Sequence, residues 1–104
     1  METIDVLVLL DVGGLQDESE LQSFLKKKSF KTVEDEKFVY TSTSTTSLVF
    51  TRTYILEIFK EALEKAGFEE ANLVFLLNEQ PSNPYTYDKK EKAFIEVKEE
   101  VVNS

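Results

Sequence analysis

Two short runs, Val6-Leu7-Val8-Leu9-Leu10 and Leu73-Val74-Phe75-Leu76-Leu77, are apolar at every consecutive position. Successive side chains of a strand point to opposite faces, so a strand with one wet face alternates apolar and polar residues. These runs do not alternate. They predict a sheet covered on both faces. The chain's own helices would cover one face. Leu7, Leu9, Val74 and Leu76 would then need a second cover, and a second copy of the chain in a symmetric homodimer is the simplest one. The alternative is a C-terminal segment folded back over the sheet.

At 104 residues the chain suits a single domain, 1–104, with residues 98–104 expected to fray. It has no cysteine and no histidine. That excludes disulfides and thiolate metal sites, and it removes the usual general base near neutral pH and the commonest metal ligand. What remains for chemistry is carboxylates, lysine, tyrosine, hydroxyls and the single arginine, Arg52. No cofactor is implied by this inventory. Net charge is −8, from 20 acids against 12 bases. Such a field opposes direct nucleic-acid binding and favours a basic protein partner. No apolar run reaches the roughly 18–20 residues of a membrane span, and Met1-Glu2-Thr3-Ile4-Asp5 lacks the basic start of a signal peptide. The expectation is a cytoplasmic protein without membrane association.

Residues 4–11 read as a first strand, stopped by Gly13-Gly14. Asp17 followed by Glu20 resembles a capping box, and Leu21, Phe24 and Leu25 give a helical stripe over 18–28. The Thr- and Val-rich stretch 30–53 reads as a hairpin of strands at 37–43 and 47–52. The other register pairs 30–34 with 37–43 and starts the next helix inside the Ser/Thr run. The first is preferred because β-branched residues disfavour helix. Ile55, Phe59, Ala62, Leu63 and Ala66 define a second helix, ended by Gly67. Strands follow at 72–78 and 93–97, separated by a loop from Pro81-Ser82-Asn83-Pro84 through Asp88. The order β-α-β-β-α-β plus a C-terminal strand predicts an α+β, ferredoxin-like split β-α-β fold, with two helices on one face of an antiparallel sheet.

Several residues are candidates for function. Asp11 closes the first strand beside a flexible turn, a position suited to a metal-binding carboxylate or to satisfying turn amides. Asp5, inside the strand, must lie near a sheet end or be paired. The hydroxyls of Thr41 to Ser47 suit a strand or a polar ligand, and Arg52 could grip a carboxylate or phosphate. Tyr85, Tyr87 and Asp88 follow the proline loop. Tyrosines there supply large contact area at low entropic cost, or they pack onto the sheet. Acids crowd Asp17 to Glu20, Glu34-Asp35-Glu36, Glu69-Glu70 and Glu96 to Glu100. They read as a solvated surface or as a face for a basic protein.

The element order, with an acid closing the first strand in Leu9-Leu10-Asp11, resembles the small ferredoxin-like ribonuclease group. That group includes the VapD toxins, the small CRISPR adaptation subunit and the GhoS-type antitoxin nuclease. The resemblance covers residues 4–88 by pattern. It implies a homodimer in which Asp11 is a catalytic position holding Mg²⁺ at the interface. The chain departs from the group in its acidity, its single arginine and its lack of a basic platform. The leading expectation is therefore a small acidic protein-binding module, an inhibitor or antitoxin-like regulator that docks on a basic partner. A metal-dependent ribonuclease or phosphodiesterase using Asp11 is the alternative.

Overall fold

The computed structural model describes residues 3–97. Along the chain run β1 (Ile4–Gly13), α1 (Glu18–Lys27), β2 (Lys31–Thr32), β3 (Val39–Ser44), α2 (Leu48–Ala66), β4 (Glu70–Leu77), β5 (Gln80–Pro81), β6 (Tyr85–Asp88) and β7 (Ala93–Glu96). The fold is α+β. Its strands form one open seven-stranded sheet in the order β2-β3-β1-β4-β6-β7, with β5 paired to β4. Every pairing is antiparallel.

The even-numbered side chains of β1 (Ile4, Val6, Val8, Leu10) and the odd-numbered ones of β4 (Ala71, Leu73, Phe75, Leu77) enter one hydrophobic core. The helices seal that core with Leu21 and Leu25 from α1 and Ile55, Ile58, Phe59, Ala62, Leu63 and Ala66 from α2. Phe59 is its hub, edge-on to both Phe30 and Tyr40, with centroids 5.0 and 5.3 Å away. Both helix starts are capped. The Asp17 carboxylate accepts from the Glu20 amide at 3.0 Å, and the Ser47 hydroxyl accepts from the Phe50 amide at 3.2 Å. Gly67 ends α2 at φ 81, donating its amide to the Leu63 carbonyl, a left-handed cap that suits glycine.

Two expectations need correction. Residues 47–52 are not a strand: Ser47 is the cap and Leu48–Arg52 the opening of α2. β3 pairs instead with β2, Lys31 opposite Thr41, which is the other register considered. The β-branched penalty is a few tenths of a kcal/mol per residue. A cap is worth about 1 kcal/mol, and the helix also buries Thr51 and Ile55. The cap and the burial together win.

The segment after Pro84 also differs from expectation. Tyr85–Asp88 form β6, hydrogen-bonded between β4 and β7. The C-terminal strands therefore widen the sheet and do not fold across it. The second face, expected to be covered, is left open by the described residues. The frayed tail expected at 98–104 lies outside them.

Candidate functional site

Register assembles the open face. Residues directly opposite in an antiparallel pair share a face. Leu7 stands opposite Leu76, and Leu9 opposite Val74. On the other side of β1, Leu7 faces Thr41 and Leu9 faces Val39. The four apolar residues singled out in the sequence thus form one contiguous patch at the middle of the sheet. Leu9 is 40% exposed, and Leu7, Val74 and Leu76 are half-buried. Their neighbours of opposite parity, Val8 and Leu73, are wholly buried.

Acids stand at both ends of this patch. Asp5 and Asp11 flank Leu7 and Leu9 along β1, and Glu70 lies on the same side of β4, opposite Gly13. Asp88 shares the face through the pairing of Thr86 with Asn72 and of Asp88 with Ala93. Against these acids stands Lys31, placed there by its pairing with Thr41. A concavity of about 730 Å³ crosses the lower part of the face, lined by Leu7, Leu76, Thr41, Thr43, Asp5 and Lys31. The backbone of Asp5 is fixed by Asn78, whose side-chain oxygen accepts from the Asp5 amide and whose own amide donates to the Asp5 carbonyl, both at 2.8 Å. Its exposed carboxylate therefore needs no buried partner.

Asp11 is exposed on this face, opposite Asn72. Among the described residues, no group of three or more acids is gathered as a metal would require. Arg52 is exposed on α2 and makes no ion pair among the described residues.

The tyrosine candidates are taken up by the fold. Tyr85 is buried and stacks on Phe75 at 5.6 Å. Tyr87 sits edge-on to Phe68 and Phe94 and donates its hydroxyl to Glu64 Oε2 at 2.9 Å. Asp88 turns inward on its own loop, accepting from the Lys90 and Glu91 amides. Glu34, Asp35 and Glu36 are exposed in the β2–β3 turn. That turn is at the opposite edge of the sheet from β6, so these two groups of candidates do not meet.

Tyrosine acidities follow burial. Desolvation pushes Tyr40 up to about 12, partly offset by the hydrogen bond to Gln22. Desolvation and then the Glu64 contact push Tyr87 up to about 12. Tyr85 is raised by burial and by Glu96. None of these groups is poised to act as a base near neutral pH.

One surface escaped the sequence reading. Leu48, Val49, Phe50 and Tyr54 are 52, 66, 70 and 47% exposed at the start of α2. Phe50 and Tyr54 join Phe30 and the Ser/Thr run around a second concavity of about 620 Å³. The signal was present. With Ser47 as cap, Thr51, Ile55 and Phe59 form the inward stripe, and Val49 and Phe50 fall outside it.

No family model, curated protein or solved structure matches the chain.

Proposed function

We propose that this chain is a small acidic protein-binding module, an inhibitor or antitoxin-like regulator, that docks a basic protein on the open face of its sheet. In this reading the frame is a ferredoxin-like split β-α-β. The strand order β2-β3-β1-β4 agrees with it, and β5, β6 and β7 are additions at one side.

The observation that carries the reading is an apolar patch, paired in register as Leu7–Leu76 and Leu9–Val74, with carboxylates at its two ends. Burying such a half-exposed aliphatic side chain is worth on the order of 1 kcal/mol each. That is enough to hold a partner, and the apolar centre with a charged rim is the anatomy of an interface. These carboxylates select the partner's charge. A second copy would bring Asp5, Asp11 and Glu70 against the same carboxylates, at a cost in repulsion. A basic protein would meet them favourably and be steered to them by the net charge of −8.

Sedimentation and affinity capture test this together. The isolated protein should sediment as a monomer of 12.0 kDa. Capture from a lysate of cells that express it should hold one basic protein. Binding should be lost both with Leu9→Glu and with the charge reversals Asp5→Lys and Asp11→Lys. A partner indifferent to all three substitutions overturns the reading. A dimer dissolved by Leu9→Glu would give the face to a second copy. Cleavage of labelled RNA with Mg²⁺, abolished by Asp11→Ala, would replace docking with hydrolysis.

A further inference from the structure

The edge of the sheet beside β3 is unfinished. The Leu10 amide donates to the Phe38 carbonyl, while the Val33 amide donates to the Val39 carbonyl. The Phe38 carbonyl therefore faces β1 and the Val39 carbonyl faces β2. Directions alternate residue by residue in an antiparallel ladder, so Thr41 and Thr43 also turn their amide and carbonyl away from β1. Thr41 meets Lys31 of β2. Among the described residues, Thr43 has no strand partner on that side: β2 begins at Lys31, Ser29 turns the chain at φ 71, and Phe30 dives into the core. Among the described residues, no strand occupies the outer side of Ser42–Ser44.

Both concavities border this free edge and share Ser42 and Thr43 in their walls. One lies on the open face, over Leu7 and Leu76. The other lies on the helical side, between β3 and the exposed Phe50 and Tyr54. An extended chain laid along Thr43 would send successive side chains to opposite faces, one into each concavity. The charged residues in their walls are Asp5, Glu79 and Glu57 against Lys31.

We infer that the free edge of β3 takes up an extended segment of the basic partner by strand addition, with successive apolar side chains seated in the two concavities and lysines or arginines flanking them. The main-chain bonds to Thr43 give register, and the concavities give selectivity. This inference rests on the protein-binding reading above and adds its mode of contact.

The test uses the full chain and an acetylated probe peptide, KKVFVKK, followed by amide NMR and hydrogen exchange. The Thr43 amide should exchange freely in the protein alone and become protected by the peptide. Thr43→Pro removes that donor at an edge position where proline is tolerated, and should weaken binding about tenfold, the worth of one or two hydrogen bonds. Phe50→Ser, on an exposed side chain that the fold does not need, should weaken it as well. Prolines in place of both peptide valines should do the same, and EEVFVEE should not bind. A Thr43 amide already protected in the free protein overturns the inference, because the edge is then filled by the chain itself or by a second copy. Equal binding by wild type, Thr43→Pro and Phe50→Ser also overturns it. If shifts then centre on Leu9 and Val74, strand addition fails while docking on the open face survives.

Discussion

The Ser44 hydroxyl lies 2.7 Å from the Thr51 hydroxyl, tying the last residue of β3 to the first buried turn of α2. Thr51 also donates to the Ser47 carbonyl at 2.8 Å and lies 3.2 Å from the Thr46 hydroxyl. At 3% exposure, Thr51 is a polar residue in the core, and these bonds make its burial possible. Thr51→Val keeps the shape and removes the hydroxyl, and with it the bonds to Ser44 and to the Ser47 carbonyl, while Ser44 keeps its contacts with Thr46. It should cost about 1–2 kcal/mol in urea unfolding. Ser47→Ala removes the helix cap and should cost about 1 kcal/mol.

Neighbouring residues of β4 should respond in opposite ways. Leu73 is wholly buried and Val74 stands on the open face. Leu73→Ala should destabilise the isolated protein by about 3 kcal/mol through a cavity. Val74→Thr should change it by less than about 0.5 kcal/mol yet weaken partner binding. Thermal melts of the two variants, set beside their binding, separate a folding residue from a docking residue.

Much of this architecture is legible in the residue pattern, and its failures have physical causes. Asp17 and Gly67 announce helix ends because a carboxylate at the N-cap and a glycine at positive φ are local chemistry, complete within a few residues. The stripe from Ile55 to Ala66 is as plain. Residues 47–52 mislead because the propensity of Val, Phe and Thr for strand is weak. The cap at Ser47 is as local as the one at Asp17, but it stands at the end of an unbroken run of hydroxyls from Thr41 to Ser47, in which composition alone does not single out one residue as the cap. Leu7, Leu9, Val74 and Leu76 share one face because successive side chains of a strand point to opposite sides and these four pair in register. Whether anything covers this patch depends on where β5, β6 and β7 pair, and a run such as Tyr85-Thr86-Tyr87-Asp88 after two prolines does not reveal that. The free edge at Thr43 arises from the shortness of β2, which the turn at Ser29 decides.

Two residues of the β4–β5 turn, Asn78 at φ 51 and Glu79 at φ 69, are both left-handed. Such a two-residue hairpin turn favours asparagine followed by glycine. Asn78 fits; Glu79 holds its side chain in a region that costs roughly 1 kcal/mol for residues with a Cβ. Glu79→Gly should raise stability by about 0.5 kcal/mol, the strain relieved less the added freedom of the unfolded chain. A shift of the urea midpoint upward, with the slope unchanged, is the expected reading.

Alkaline pH should weaken the fold through Tyr40 and Tyr87. Desolvation, first in both cases, raises each from the ordinary 10.0 to about 12. A raised folded-state value means that the native protein holds these protons more tightly than the unfolded chain. The stabilisation is therefore complete below pH 10 and is lost as pH rises from 10 towards 12. For Tyr40 the neutral hydroxyl donates to Gln22 Oε1 at 2.9 Å. For Tyr87 it donates to Glu64, whose negative charge opposes a phenolate. Urea midpoints measured across this window should fall, and ring NMR shifts should place both titrations above the ordinary tyrosine value. Tyr40→Phe cannot ionise, so its own stability should decline less steeply over the same window. A wild-type midpoint flat from pH 10 to 12 would remove the burial of these hydroxyls as the cause.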